Sequence, residues 1–382
     1  MAQVLLNIDE PATAFRGPVM LASGHRPFFL MAGLYGTAAL PAWVAAYLGY
    51  LPLTPTWHGH EMIFGFAVAA IAGFLMAAVP KWTRTPAIAG WPLVFLIVLW
   101  VAGRVAMWAG QAVFLDLLFL PALGAMVLAQ LLRARNARNY QVAGVLFVLA
   151  AVNGLFHFHD QSFALRLAIL MVIALVSLIG GRIIPAFTQN ALRQKFGRPI
   201  ACATPRILDV LAVPSVLAVV AAELFLPGSP AAAVAALAAA LVLAARMAGW
   251  QTARTLRLPL VWVLHVGYAW VPVGFLLMGL AGLGAPVDPS AALHALTAGA
   301  IGVMILAVAS RAALGHSGRA LEPSPLTVLA YVLVIAAAVV RVFVPWDGAV
   351  TVAGGLWFLG YGLFAVVYWP ILTRPRIDGL PG

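Results

Sequence analysis

Long apolar runs separated by short breaks make up almost the whole chain. Each run is close to the ~20 residues that an α-helix needs to cross the hydrocarbon core of a bilayer. The breaks contain turn residues, such as P-G-S-P at residues 227–230. The pattern predicts twelve membrane-spanning helices, at about residues 27–50, 58–79, 91–111, 113–132, 141–158, 163–184, 207–226, 230–249, 259–282, 290–310, 325–344 and 349–372.

Composition leads to the same class. Of the 382 residues, 64% are hydrophobic and 9% charged, with a mean hydropathy of +1.02, whereas soluble domains carry about 25% charged residues. We therefore predict an all-α polytopic membrane protein with one transmembrane domain, residues 27–372. A cytoplasmic N-terminal segment, residues 1–26, and a cytoplasmic tail, residues 373–382, are expected to flank it. Residues 1–26 lack the apolar core of a cleaved signal peptide and are expected to be retained.

The basic residues indicate the orientation. If the N-terminus is cytoplasmic, all 22 lysines and arginines except Arg104, Arg166 and Arg341 fall in cytoplasmic segments, as the positive-inside rule requires. These residues lie in short clusters between apolar runs, so the net charge of +11 does not indicate nucleic-acid binding. The single cysteine, Cys202, excludes an internal disulfide and a multi-cysteine metal site.

The stretch W-H-G-H-E-M at residues 57–62 is the main candidate for chemistry. Two imidazoles and a carboxylate at the mouth of a membrane helix are costly unless they meet a metal, a proton or a counter-charge. Helical geometry puts His58 and Glu61 one turn apart on one face and directs His60 toward Phe64. Glu61 is the candidate catalytic residue, because it could supply the outer end of a proton route.

The eight histidines fall into two layers with this topology. The outer layer contains His58, His60, His157, His159 and His294, and the cytoplasmic layer contains His25, His265 and His316. Each histidine taken alone is best explained as a helix cap or a hydrogen-bonding partner, but the outer five together favour a ligand role. The three inner imidazoles would suit copper or one axial position of a haem.

The outward arginines have two interpretations. Each has an aspartate near its loop, in the pairs Arg104–Asp116, Arg166–Asp160 and Arg341–Asp347. Ion pairing is the first interpretation, and the clamping of haem propionates, for which we single out Arg104 and Arg341, is the alternative. Asn153, one turn before His157, could fix the tautomer of that imidazole.

A weak internal period suggests four-helix repeats. The second and tenth runs both begin with histidine and continue through Gly/Ala stripes, which would let another helix or a flat cofactor approach closely. The third and eleventh runs share Arg-Val followed by Trp, at Arg104 and Arg341. Eight helices separate the members of each pair, but the fifth to eighth runs match poorly.

Several motifs occur in order along the chain. They are H-R-P-F-F-L at 25–30, W-H-G-H-E-M at 57–62, Gly181-Arg182 with P-A-F-T at 185–188, L-H-V-G-Y at 264–268, H-A-L-T at 294–297 and L-G-H-S-G-R at 314–319. Together these motifs resemble the NnrS family, from about residue 22 to the C-terminus. His25 stands where the family pattern has Phe, and His159 is additional.

The resemblance implies a twelve-helix protein of the bacterial inner membrane. Its cofactors would be haem b and copper, and its role would lie in nitric oxide metabolism, denitrification and resistance to nitrosative stress. The motif positions carried over are His58, His60, His157, His265, His294 and His316, with Glu61, Arg104 and Arg182 as accompanying polar residues.

Three functional hypotheses follow. The first is a haem and copper protein that binds or processes nitric oxide or a metal-nitrosyl species, with any electron donor unknown. Its cofactor-binding residues would be His60, His157, His294, Arg104 and Arg341, and its metal ligands His25, His58, His60, His265 and His316. The second is a proton-coupled transporter that uses His58, His60 and Glu61. The third is a structural or assembly partner of denitrification proteins.

Overall fold

The computed structural model describes residue 15 and residues 17–379. Most of the predicted N-terminal segment 1–26, and the last three residues of the predicted tail, lie outside the described residues. Helices account for 81% of the chain, and the described part contains no strand. The predicted all-α class is confirmed.

Twelve helices are long and apolar enough to cross a membrane, as the sequence predicts. They are α1 (His25–Tyr47), α2 (Pro55–Thr83), α3 (Trp91–Ala109), α4 (Val113–Arg133), α5 (Ala137–Phe158), α6 (Gln161–Phe196), α7 (Arg206–Phe225), α8 (Pro230–Trp250), α9 (Pro259–Gly282), α10 (Pro289–His316), α11 (Pro325–Phe343) and α12 (Ala349–Thr373). Their most apolar windows have mean hydropathies between 1.5 and 2.5. The chain is therefore a multi-pass membrane protein.

Two helix ends differ from the prediction. The connection predicted from Pro185 is helical as far as Phe196, and α10 continues to His316, which was predicted to lie in a loop. Hydropathy marks where a helix leaves the hydrocarbon core rather than where it ends. At 1.5 Å per residue, the 36 residues of α6 span about 54 Å, well beyond the ~30 Å of that core.

Several helices begin with the same local device. In each, a serine, threonine or aspartate caps the helix and a proline follows at its first position, where a missing N–H costs nothing. The four starts are Thr54-Pro55, Ser229-Pro230, Asp288-Pro289 and Ser324-Pro325. Thr54 Oγ1, for example, accepts a 3.0 Å hydrogen bond from the Trp57 backbone N–H, which fixes where the W-H-G-H-E-M stretch enters α2.

π-Helical segments interrupt α2 and α10. They cover Glu61–Ala67 and Ala295–Gly302, and each begins directly after a histidine, His60 or His294. Such segments are rare and often lie at functional sites. The second, sixth and tenth spans are also the longest, at 29, 36 and 28 residues. The long spans recur every four helices and the π-helical segments lie eight helices apart, and four-helix repeats would produce both spacings.

The described residues divide into two compact units, unit 1 (those up to residue 168, with 308–322 and 361–379) and unit 2 (residues 169–307 and 323–360). Within unit 1, α1 packs on the small-residue stripe of α2. A Cβ at Gly65 would lie 2.6 Å from the Tyr35 ring, and one at Gly73 2.7 Å from the Phe29 ring. The stripe therefore brings a neighbouring helix close, one of the two roles predicted for it.

Unit 2 uses the stripe of α10 in the same way. A Cβ at Gly299 would lie 2.5 Å from the Trp270 ring, and one at Gly302 2.6 Å from the Trp357 ring. Tryptophan rings of the chain itself therefore cover these glycines.

Candidate metal centre

A tight connection between α3 and α4 sets up the polar centre of unit 1. Gly110 and Ala112 both adopt left-handed backbone conformations, with φ of 65° and 54°, so the chain reverses at once. Gly103 lets the first turn of α4 approach, since a Cβ there would lie 3.0 Å from the Asp116 Cα. This close approach brings Asp116 next to Arg104.

Arg104 joins two buried carboxylates. Its Nη1 donates to Glu61 Oε1 at 2.5 Å and its Nη2 donates to Asp116 Oδ1. The side chains of Arg104, Glu61 and Asp116 are 7%, 1% and 2% exposed. The Tyr35 hydroxyl donates to Glu61 Oε2 and accepts a 3.0 Å hydrogen bond from Trp108 Nε1. Two buried carboxylates beside one guanidinium leave a negative charge that needs a proton or a cation.

Two imidazoles from α2 and α5 complete the group. His60 Nε2 lies 3.1 Å from Asp116 Oδ2, and His157 Nε2 lies 2.9 Å from the same oxygen. Asn153 Nδ2 also donates to Asp116 Oδ2, at 2.8 Å, while its Oδ1 lies 3.0 Å from His60 Nε2. We call the residues His60, Glu61, Arg104, Asp116, Asn153 and His157 the polar cluster.

The contacts of His60 limit the protonation states that the polar cluster can adopt. Both ring nitrogens of His60 face oxygens, because Nδ1 lies 2.8 Å from Glu61 Oε1 and Nε2 faces Asn153 and Asp116. A neutral imidazole donates from one nitrogen only. The arrangement therefore needs an imidazolium, a protonated carboxyl group, or a metal cation at Nε2 in place of a proton.

The donor set fits a transition metal. The ligand atoms of His60, Asp116 and His157 lie within 4.8 Å of one another, and this is the one such group of three among the described residues. Ligands ~2.1 Å from a metal and at about right angles are separated by about 3 Å, close to the two distances measured from Asp116 Oδ2. Imidazole and carboxylate donors suit copper, zinc and iron.

A small cavity adjoins the polar cluster. Its volume is about 10 Å³, and Arg104, Asp116 and Asn153 line its polar side. The other side is apolar, formed by Phe64, Leu99, Trp100, Gly103, Phe119 and Leu120. This is about the smallest volume that accommodates one water molecule. Arg104 Nε is buried and has no hydrogen-bond partner within the part of the chain that the structure describes.

A haem does not fit beside this group as the protein is packed. Pockets for larger ligands occupy about 300–1,000 Å³, far more than this cavity. The glycine stripes that could have received a flat cofactor are covered by Tyr35, Phe29, Trp270 and Trp357. The polar cluster therefore fits a metal ion with one small ligand.

His58 and Glu61 contact different neighbours. Its ring stacks on Trp43, with centroids 4.9 Å apart and planes at 12°. Glu61 instead bonds to the adjacent His60, whose ring also contacts Phe64 as expected. The chain becomes π-helical at Glu61, directly after these two histidines.

His25 and His316 come together at another place in unit 1. Their rings lie 4.7 Å apart. His25 Nδ1 is 2.9 Å from Ser23 Oγ, and Lys81 Nζ donates to His316 Nε2 at 3.3 Å. The third predicted member of this layer, His265, belongs to unit 2.

The remaining predicted ligands also lie in unit 2. His265 contacts Thr188 Oγ1 through Nε2 at 2.8 Å and Thr252 Oγ1 through Nδ1 at 2.9 Å. His294 Nδ1 donates to the Ser290 carbonyl at 2.7 Å, and Arg341 Nη2 donates to Ser290 Oγ at 2.7 Å. His294 and Arg341 are thus brought together through one serine.

Sequence reasoning assigned less importance to three residues of this environment. Asp116 was predicted only as an ion-pair partner of Arg104, and that pair is formed. Asn153 was predicted to orient His157 but instead bonds to His60 and Asp116, and Tyr35 was not singled out. The sequence does contain a signal for Asp116, because it is an acidic residue within the apolar run 113–132. Ionisable residues inside a membrane are rare and usually functional.

Comparison with known proteins agrees with the motifs. The model of the family described as NnrS protein matches residues 19–376. The chain belongs to the NnrS family. Membership indicates a nitric-oxide-related membrane protein of a metal-binding family. No curated protein matches the chain.

Proposed function

We propose that this NnrS-family protein is a copper protein of the bacterial inner membrane that binds nitric oxide or a metal-nitrosyl species. Its role would be protection against nitrosative stress during denitrification. The observation that carries the proposal is the convergence of His60 Nε2, Asp116 Oδ2 and His157 Nε2 beside a cavity for one small molecule. Haem b stays a prediction of the family resemblance, and we assign it no residues of this cluster.

Each polar side chain has a defined task in this proposal. His60, Asp116 and His157 would hold the metal. Glu61 accepts the Nδ1–H of His60, which leaves Nε2 as the ligand nitrogen, a common arrangement behind metal-binding histidines. Arg104 balances the charges of both carboxylates.

The cavity supports a small, weakly polar ligand. Its apolar wall excludes bulk water, and the buried Nε–H of Arg104 offers a hydrogen bond on its polar side. When bound, copper supplies an open coordination position for nitric oxide.

Metal analysis of the purified protein tests the proposal. Protein from copper-replete cells should contain about one copper in this centre, and the paramagnetic resonance spectrum of its Cu(II) form should show nitrogen coupling. His60→Ala and His157→Ala should each lose this copper. His159→Ala is the matched control, because His159 is exposed and two residues from His157, and it should keep the metal.

Two outcomes would contradict the proposal. One is a metal-free wild-type protein from copper-replete cells, and the other is full copper content in His157→Ala. Anaerobic nitric oxide should change the spectrum of the copper-loaded protein but not that of His157→Ala. A pyridine haemochrome assay on the same sample tests the haem b prediction separately.

Proton-coupled transport is the second candidate. Hydrogen bonds connect Tyr35, Glu61, His60, Asp116 and His157 without a break, and such a chain can hold and pass protons. This function predicts a metal-free protein in which a substrate gradient drives proton movement into proteoliposomes. Glu61→Gln should abolish that movement, which a pH-sensitive dye inside the vesicles would report.

A further inference from the structure

A second concentration of charge lies in unit 1, away from the polar cluster. It contains His25, Arg26, Lys81, His316, Arg319 and Arg376, which we call the basic cluster. The charged groups acting on His25 are His316, Arg26, Lys81 and Arg376, and those acting on Arg26 are Arg376 and Arg319. Every one of these neighbours is a cation or an imidazole.

Arg26 is the buried member of the basic cluster, at 1% exposure. Its Nη1 donates to the backbone carbonyls of Leu372 and Arg374, both at 2.9 Å. These carbonyls lie at the C-terminal end of α12, where a helix favours a cation. The guanidinium is thus held in one orientation by backbone groups.

The opposite edge of the Arg26 guanidinium makes no hydrogen bond within the described residues. Arg26 Nε and Nη2 are both buried and have no hydrogen-bond partner among the described residues. These two N–H groups lie side by side and point the same way, which is the edge that guanidinium uses to bind two oxygens of a carboxylate or phosphate. Leaving such donors buried and unpaired is costly.

The Arg319 guanidinium also has a buried N–H group without a hydrogen-bond partner in the part of the chain that the structure describes. Arg319 Nη1 is buried without a partner in the described chain. Asp378 is already engaged, because its two oxygens accept from Arg376 Nε and Nη2 at 2.9 and 2.7 Å. A hydrogen bond from the Ile377 backbone N–H to the Ser317 carbonyl, 3.2 Å long, holds the tail segment that carries Asp378 near Arg319.

His316 does not balance the positive charge of Arg26. Lys81 can only donate, so His316 Nε2 must accept its hydrogen bond, and the imidazole is neutral in this pairing. Within the part of the chain that the structure describes, the contacts of Arg26 therefore include no carboxylate.

We propose that the Nε/Nη2 edge of Arg26, with Nη1 of Arg319, binds one phosphate-type oxyanion. The phosphate is either free inorganic phosphate or the headgroup of an anionic phospholipid, since both present paired oxygens to a guanidinium. The site is independent of the copper centre, and neither the copper nor nitric oxide enters the argument.

Equilibrium dialysis with radiolabelled inorganic phosphate tests the free-ion source. The full-length protein is reconstituted into nanodiscs of zwitterionic phosphatidylcholine. One saturable site is expected, and Arg26→Lys should weaken it roughly ten- to hundredfold, as expected for loss of charge-assisted hydrogen bonds. This variant keeps the charge but not the paired donors. Arg319→Gln should also weaken binding and provides a second, less buried test.

Native mass spectrometry tests the lipid source. If a phospholipid fills the site, wild-type protein should retain about one phosphatidylglycerol after delipidation, and Arg26→Lys should lose it. Arg138→Gln is the control, because Arg138 is exposed, and it should match the wild type in both assays. Copper content should be unchanged in all three variants.

Three outcomes would overturn the proposal. In the first, neither phosphate binding nor lipid retention depends on Arg26, so that only water meets this edge. In the second, Arg138→Gln weakens binding as much as Arg26→Lys, which would indicate diffuse attraction by net charge. In the third, binding appears only after Asp9→Asn and Glu10→Gln, which would assign the edge to carboxylates of this chain.

Discussion

Asp116 shows how one residue determines the chemistry of the polar cluster. Its two oxygens meet Arg104, His60, His157 and Asn153, so a single carboxylate receives side chains from three helices. Replacing it removes a proposed metal ligand and the partner of a buried guanidinium together. Glu61 is the more selective position to change, because it reaches the proposed metal only through His60.

Glu61→Gln should weaken copper binding about ten- to hundredfold without abolishing it, the usual effect of changing a group behind a metal-binding histidine. The amide still accepts the Nδ1–H of His60 but no longer raises the basicity of the ring. Competition with a chelator of known affinity measures the change. Glu322→Gln, at an exposed position, is the control. Equal copper affinity in the two variants would show that Glu61 does not act on the metal.

Sequence reasoning identified most residues of the polar cluster but not their pairing. His60, Glu61, Arg104 and His157 stand out because charged or imidazole side chains are costly in lipid. Their partners depend on where a π-helical segment begins and on a left-handed turn, and neither follows from an α-helical period. Asp116 was therefore predicted as a counter-ion, although its second oxygen meets both histidines.

At the scale of elements, the approach of α4 to α3 depends on Gly103. Gly103→Ala should destabilise the protein by about 1–3 kcal/mol and weaken copper binding, because the new Cβ would lie 3.0 Å from Asp116 Cα and 3.3 Å from its Oδ1. Unfolding in mixed detergent micelles measures the stability. Gly144→Ala in α5 has nothing within 4 Å and should be neutral or stabilising by up to about 1 kcal/mol. If the two variants behave alike, tight packing at Gly103 does not hold Asp116 in place.

The π-helical segment of α2 makes a second prediction at this scale. Deleting Met62 from this segment should turn His60 and the residues before it by about 100° relative to the rest of α2, and copper should be lost. Deleting Ala87, in the exposed connection before α3, should leave the metal in place. Metal analysis of both proteins, with size-exclusion profiles to confirm folding, provides the readout. A Met62 deletion that keeps its copper would contradict a positioning role for the segment.

The number of spans could be predicted, whereas the ends of α6 and α10 could not. Twenty apolar residues are a strong signal in lipid, but Arg193, Lys195 and His316 extend their helices in polar surroundings, where hydropathy no longer distinguishes helix from loop. The repeat was visible only in two pairs of runs. The second and tenth share an initial histidine and a Gly/Ala stripe, and the third and eleventh share Arg-Val followed by Trp. The matching π-helical segments at Glu61 and Ala295 required coordinates, because residues in π- and α-helices have similar compositions.

For the whole molecule, the alternation of basic residues predicts which side each connection faces. Cys202 lies between α6 and α7, on the side predicted to be cytoplasmic, and it is the only cysteine. A membrane-impermeant maleimide should therefore label it in inverted vesicles and not in intact spheroplasts. A protein with Cys202→Ser and Asp347→Cys should give the reverse result, because Asp347 is exposed in a connection predicted to face outward.

The rate of that labelling has a predictable pH dependence. Burial raises the pKa of the Cys202 thiol above its usual value of 9.0, and only the thiolate reacts. Because a raised pKa lowers the thiolate fraction at neutral pH, labelling in inverted vesicles should be slow at pH 7. It should still accelerate as pH passes 10, where an ordinary thiol with a pKa of 9.0 approaches its plateau. Glutathione in the same buffers is the reference. If the labelling rate of Cys202 reaches its plateau at the same pH as that of glutathione, or at a lower pH, the burial of the thiol is contradicted. Labelling of Cys202 in spheroplasts would instead contradict the orientation and move the polar cluster to the cytoplasmic half of the membrane.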